Sequence, residues 1–143
     1  MANEIKWTSP TNVSSPISGV TVNSGAGALG SEYDNETNKK RFASFEATLD
    51  HTSSPTANTI WKLYILYALD GTNYEDGSTS VEPNKLPVST FPVRANTDVQ
   101  IIATEAIPLL PFKFKPLLWN GTNQNSATSA ITLDMEVFGE EVQ

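Results

Sequence analysis

The sequence predicts an all-β domain built as an antiparallel two-sheet sandwich, and three observations carry that prediction. Only 17% of the 143 residues are charged, against roughly 25% in an average domain. Thr, Ser and Asn fill the polar fraction, and nine prolines run from Pro10 to Pro116. Thr favours strands, whereas Ser, Asn, Gly and Pro favour turns. Several segments alternate apolar and polar residues with period two, and no ten-residue helical pattern lies between them. The length suits one domain whose core needs neither a metal nor disulfides to hold it.

The elements follow in chain order. Residues 1–15 place Ile5 and Trp7 in a polar, turn-rich stretch, which predicts an N-terminal arm or a first edge strand, with the sandwich domain over 16–143. Residues 17–22 form a short strand stopped by the glycine-rich turn at 23–27. From 41 to 50 the alternation puts Ala43, Phe45, Ala47 and Leu49 on one face and Phe42, Ser44, Glu46 and Thr48 on the other. The most apolar segment, 59–69, sets Trp61, Leu63, Ile65, Tyr67 and Leu69 on one face, with Lys62, Tyr64, Leu66 and Ala68 on the other. Its Leu and Ala content competes for helix, but the aromatics and the Asp70-Gly71 stop favour a central strand.

Residues 88–93, which follow Pro87 and contain Pro92, predict an edge segment, and 99–105 predict a strand. Pro108, Pro111 and Pro116 are expected to break the next region into short, bulged pieces. In the last strand Ile131, Leu133, Met135 and Val137 alternate with Thr132, Asp134, Glu136 and Phe138 up to Gly139. The count is seven or eight strands, and eight in two sheets is the jelly-roll number.

Charge and composition exclude several functions. Sixteen acids against nine bases give a net charge of −7, opposite to the basic face that nucleic-acid binding requires. No apolar run approaches the roughly 20 residues of a membrane helix. The first residues lack a basic segment followed by an apolar one, so secretion is not expected and synthesis in the cytoplasm is. Zero cysteines exclude disulfides, Cys-ligated zinc and thiol chemistry.

Each candidate reaction centre has a simpler explanation. His51 is the sole histidine, so any Ser-His-Asp triad must use it. It sits where a strand gives way to a loop, with no nucleophile-elbow motif, and is expected to be a solvated side chain. The acids of 70–77, Asp-Gly-Thr-Asn-Tyr-Glu-Asp-Gly, lack calcium-loop spacing, because Gly stands second rather than sixth. They predict a turn from which Tyr74 tucks back onto the sheet. Sixteen acids give no specific support to a glycosidase pair. Asn12, Asn35 and Asn120 match the glycosylation pattern, which carries no weight without a secretory signal. No catalytic, cofactor or metal residues are expected.

Several stretches occur in a distinctive order: Lys6-Trp7, Ile17-Ser-Gly19, Asp34-Asn-Glu-Thr-Asn38, Tyr64, Tyr67, the 70–77 turn and Trp119-Asn-Gly-Thr122. Over about residues 6–138 the chain resembles the small jelly-roll virion proteins of tailed bacteriophages, which decorate or cement capsids or sit on tails. It departs from them at 108–116, where that group more often has an unbroken strand. The resemblance implies a non-enzymatic structural protein of the virion, made in the host cytoplasm, with a capsid-exterior position favoured. Its implied partner is the major capsid protein or another virion protein. Alternatives are a tail, fibre or head-fibre component, or a carbohydrate-binding module, which should expose a strip of aromatic side chains on one sheet.

Two surface expectations accompany this. Ile5 and Trp7 are expected in an attachment arm, since Trp is costly to leave in water. Ile107, Leu109, Leu110 and Phe112 are expected at the interface of a homo-oligomer, most simply a trimer, being too apolar for a free loop. The competing assignment is that they close one end of the chain's own core. The polar segments 78–90 and 120–129 are expected to make wet contacts with neighbours.

Overall fold

Two antiparallel sheets pack face to face in the computed structural model, which describes residues 4–142. Twelve strands and one helical turn are present among the described residues, rather than seven or eight strands. One sheet runs β3 (Gly27–Leu29), β10 (Lys113–Asn120), β6 (Ile60–Ala68), β7 (Ser89–Pro92), with β4 (Tyr33–Asp34) also on β10. The other runs β2 (Thr11–Val20), β11 (Ile131–Phe138), β5 (Phe42–Leu49), β8 (Gln100–Ala103), with β9 (Ile107–Pro108) also on β5. A two-stranded ribbon, β1 (Ile5–Trp7) on β12 (Glu140–Val142), prolongs the β2–β11 pair beyond the sandwich. The extra elements are short, which is why periodicity does not reveal them. Over the eight principal strands in chain order, the sheets read 2-7-4-5 and 1-8-3-6.

The core lies between the sheets, on the faces that alternation assigns. Ala43, Phe45, Ala47 and Leu49 are buried, as are Trp61, Leu63 and Ile65, and Ile131, Leu133, Met135 and Val137. Each large member contributes about 1.5–3 kcal/mol on leaving water. Tyr67 is only half-buried, and Leu69 is 64% exposed because β6 ends at Ala68.

The outward face of β6 is also buried, which explains its continuous apolar run. Tyr64 and Leu66 join Leu117 and Trp119 of β10 in a second apolar cluster. Residues 69–88 lie over it. Thr79 O accepts the Gly27 amide at 2.9 Å, Glu82 accepts from Lys62 Nζ and the Tyr64 hydroxyl at 2.6 Å each, and Lys85 Nζ donates to Ile65 O at 2.9 Å. Segment 78–90, expected to face neighbours, is therefore used largely by the chain itself. The same holds at 120–129, where Asn120 Nδ2 donates to Gln124 O and Ser126 Oγ accepts the Val22 amide.

The prolines do not fragment β10. Pro116 stands inside an eight-residue central strand opposite Ile65. Its carbonyl accepts the Gly30 amide at 2.7 Å. In an antiparallel pair a residue's N and C=O point to the same side. The missing donor therefore falls in the gap between β3, paired to residues 117–119, and β4, paired to 113–114. Pro16 is accommodated differently, in an irregular stretch of edge strand β2 between the Ile17 and Val13 pairings. That strand begins at Thr11, so the division expected between residues 15 and 16 falls inside it.

One helical turn, α1 (Asn35–Asn38), was not expected. Asp34 caps it, accepting from the Thr37 amide at 3.0 Å and the Thr37 hydroxyl at 2.7 Å. Buried Asn35 donates to Lys40 O and Leu110 O, tying this turn to the 107–112 stretch.

Candidate surface site

The open surface of the molecule is the outer face of the β2-β11-β5-β8 sheet. Alternation leaves Phe42, Ser44, Glu46 and Thr48 of β5 beside Phe138, Glu136, Asp134 and Thr132 of β11, pair by pair in register. Each is half-buried or exposed. At the middle of this face lies a cleft of about 400 Å³ whose polar side chains come from Asn12, Ser44, Glu46, Asp134 and Glu136. Ser15 donates its hydroxyl to Asp134.

The face ends in an aromatic cluster. Trp7 meets Phe42 and Phe138 edge-on at centroid distances of 5.3 and 5.4 Å, and the two phenylalanines stack at 5.7 Å. Trp7 nevertheless remains 61% exposed, and Ile5 70%. Arg41 lies 5.7 Å over the Phe42 ring and pairs with Glu140 at 2.5 Å. Residues 5–7 are thus a strand with Trp7 on its own sheet, while most of the indole faces solvent; residues 1–3 of the expected arm lie outside the described residues. Phe42 and Phe138 were not singled out from sequence. The signal was there: each is the one large apolar residue on an otherwise polar strand face. The aromatics form a cluster at one end of the sheet, not a strip along it.

The 107–112 stretch divides. Ile107 pairs with Ala43 and, with Leu109, packs against the core. The Leu109 amide donates to Arg41 O at 2.8 Å. Leu110 stays 48% exposed and Phe112 half-buried, so two of the four expected interface residues close the chain's own core.

His51 is not the solvated side chain expected from its position: it is buried at 3% exposure. Its Nε2 accepts the Trp61 indole N–H at 3.1 Å, which places its own proton on Nδ1. That nitrogen is buried with no hydrogen-bond partner. The Nε2 lone pair is therefore spent on Trp61 rather than available to a hydroxyl, and Ser126 Oγ donates to Ala127 O at 3.0 Å. Burial holds the imidazole below its ordinary value of 6.5, opposed by Asp50. The unfolded chain then takes up the proton first, so unfolding free energy is expected to fall as pH drops through about 6.5. His51→Gln, which keeps an acceptor for Trp61, should flatten the pH 7 to 5 stretch of a urea-denaturation series.

The 70–77 acids form a turn. Asp70 accepts from the Asn73 amide at 2.7 Å, the Asn73 side chain at 2.8 Å and the Thr72 amide at 2.9 Å. Those bonds lower its pKa to about 2. Tyr74 packs back as expected, donating to Glu32 with Lys115 Nζ 4.3 Å over its ring. Its hydroxyl is pushed up to about 12 by burial and then by Glu32. Among the described residues no group of three or more His, Cys, Asp or Glu is arranged to hold a metal, and no helix is long and apolar enough to cross a membrane. No protein-family model, curated protein or solved structure matches the chain.

Proposed function

We propose that the chain is a non-enzymatic structural protein of a tailed-bacteriophage virion, a capsid decoration or cement protein that binds the outer face of the capsid lattice. The single observation that carries this reading is the uncovered sheet face ending in Trp7, an indole left mostly in solvent beside two packed phenylalanines. Exposed aromatics backed by rigid neighbours are the usual anchors of protein contacts. The 1-8-3-6 and 2-7-4-5 strand orders support a jelly roll, in which two Greek keys fold onto each other. The long loop at 69–88 is tied to its own sheet rather than framing a cleft, which suits a rigid building block.

Quantitative mass spectrometry of virions purified from the phage that encodes the chain tests the reading. Hundreds of copies per particle are the expected result, tens move the protein to the tail, and absence from the particle overturns the assignment. Self-association as a trimer rests on the exposed parts of Leu110 and Phe112. Sedimentation of the purified chain should give three times 15.5 kDa, and a monomer would confine assembly to the lattice.

A further inference from the structure

We infer that the outer face of the β2-β11-β5-β8 sheet docks an arginine-bearing segment of a partner protein, one guanidinium lying against Trp7 beside Glu136 and a second arginine pairing with Glu46. The inference deepens the assembly reading by naming the chemistry of the partner. It rests first on how differently the two sheets treat their charges. Three of the lysines around the other sheet are satisfied within the chain: Lys62 by Glu82 at 2.6 Å, Lys85 by Glu75 at 2.7 Å, Lys115 by the Tyr74 ring. The strands β2, β5, β8, β9 and β11 hold Glu46, Asp134 and Glu136 and not one Lys or Arg.

No ion pair among the described residues reaches these three carboxylates. Glu46 and Asp134 stand directly opposite each other in register, a like-charge pairing that costs stability in a sheet. A cation from outside removes that cost, whereas a neutral ligand such as a sugar leaves it in place.

The second observation is independent of the acids. Trp7 exposes most of its ring at the end of the same face, where it packs on Phe42 and Phe138, the pair one outward position beyond Ser44 and Glu136. Two neighbouring cations are already engaged, Arg41 by Glu140 and Lys6 by Glu4 at 3.1 Å. Arg41 over Phe42 shows that this aromatic cluster accepts a guanidinium on one side, which leaves the indole for another. Guanidinium is planar and weakly hydrated, and it stacks on an aromatic ring while donating to carboxylates. The −7 charge of the whole chain draws such a partner in.

The test is a titration of the full-length ¹⁵N-labelled chain with N-acetyl-Arg-Gly-Arg-amide, followed by NMR. Its Lys and Glu counterparts and cellohexaose serve as comparisons. The Arg peptide should give saturable shifts at the Trp7 indole N–H and at the amides of 44–46 and 134–136. The Lys peptide should bind more weakly and the Glu peptide not at all. Binding should weaken at about 0.5 M salt. Trp7→Ala, and Glu46→Gln with Glu136→Gln, should each lower the affinity about tenfold, with amide spectra elsewhere unchanged. Three results overturn the inference: no saturable shift on this face up to about 10 mM peptide, binding that the Gln variants leave intact, or the same shifts with cellohexaose. This outcome does not depend on whether the chain is found in virions, so its failure is distinguishable from failure of the assembly reading.

Discussion

Leu63→Asp is expected to abolish folding, whereas Thr132→Asp leaves the domain folded. Leu63 has no exposure and lies on β6 between Leu118 of β10 and Ser89 of β7, facing the core. Truncating a buried leucine costs about 2–5 kcal/mol. An unpaired carboxylate at the same place adds several kcal/mol even after relaxation. Together these are of the order of the whole stability of a domain, about 5–15 kcal/mol. Thr132 points the other way, half-buried on the outer face across from Thr48. Its hydroxyl accepts a 3.4 Å bond from the Gly19 amide, which an Asp carboxylate at the same position can also accept. The cost there should stay within about 1 kcal/mol. Circular dichroism with thermal melting reads both, and equal tolerance would mean the β-strand faces are assigned wrongly.

The second large effect is expected at Trp61. Trp61→Ala should cost about 3–5 kcal/mol, for the ring fills the core with no exposed surface. Trp61→Phe isolates the hydrogen bond: it keeps an aromatic ring but leaves both nitrogens of buried His51 unpartnered. A further loss of about 1–3 kcal/mol from that unpaired group is the expected result. Urea denaturation of the two variants at pH 7 checks the ordering. A Phe variant as stable as the parent would show that the indole–imidazole bond contributes nothing.

How far the fold could be read in advance depended on whether a segment's fate was decided locally. β5 and β11 face the core on one side only, so period two writes their burial into the sequence, and Phe45 and Met135 fall where alternation puts them. β6 is buried on both sides, and only the position of residues 69–88 in space reveals why Tyr64 and Leu66 are apolar. β10 stays intact through Pro116 because of a gap between β3 and β4, a fact of tertiary pairing that no local pattern carries. The surface site was half legible. Trp7 stands out in a polar stretch, but its partners Phe42 and Phe138 lie 35 and 131 residues away, brought together by the ribbon of β1 on β12. The burial of His51 was hidden for the same reason, since its partners Trp61 and Ser126 are set by strand packing.

We propose that this chain attaches to a virion through the face headed by Trp7. The most direct measurement is co-sedimentation of purified Trp7→Ala with virions stripped of the protein, beside its thermal melt. Because Trp7 is mostly exposed, the variant should lose about 1 kcal/mol or less, a shift of about 4 °C in Tm, yet fail to pellet with the particles. A folded Trp7→Ala variant that binds virions as well as the parent would show that the face headed by Trp7 is not the attachment surface.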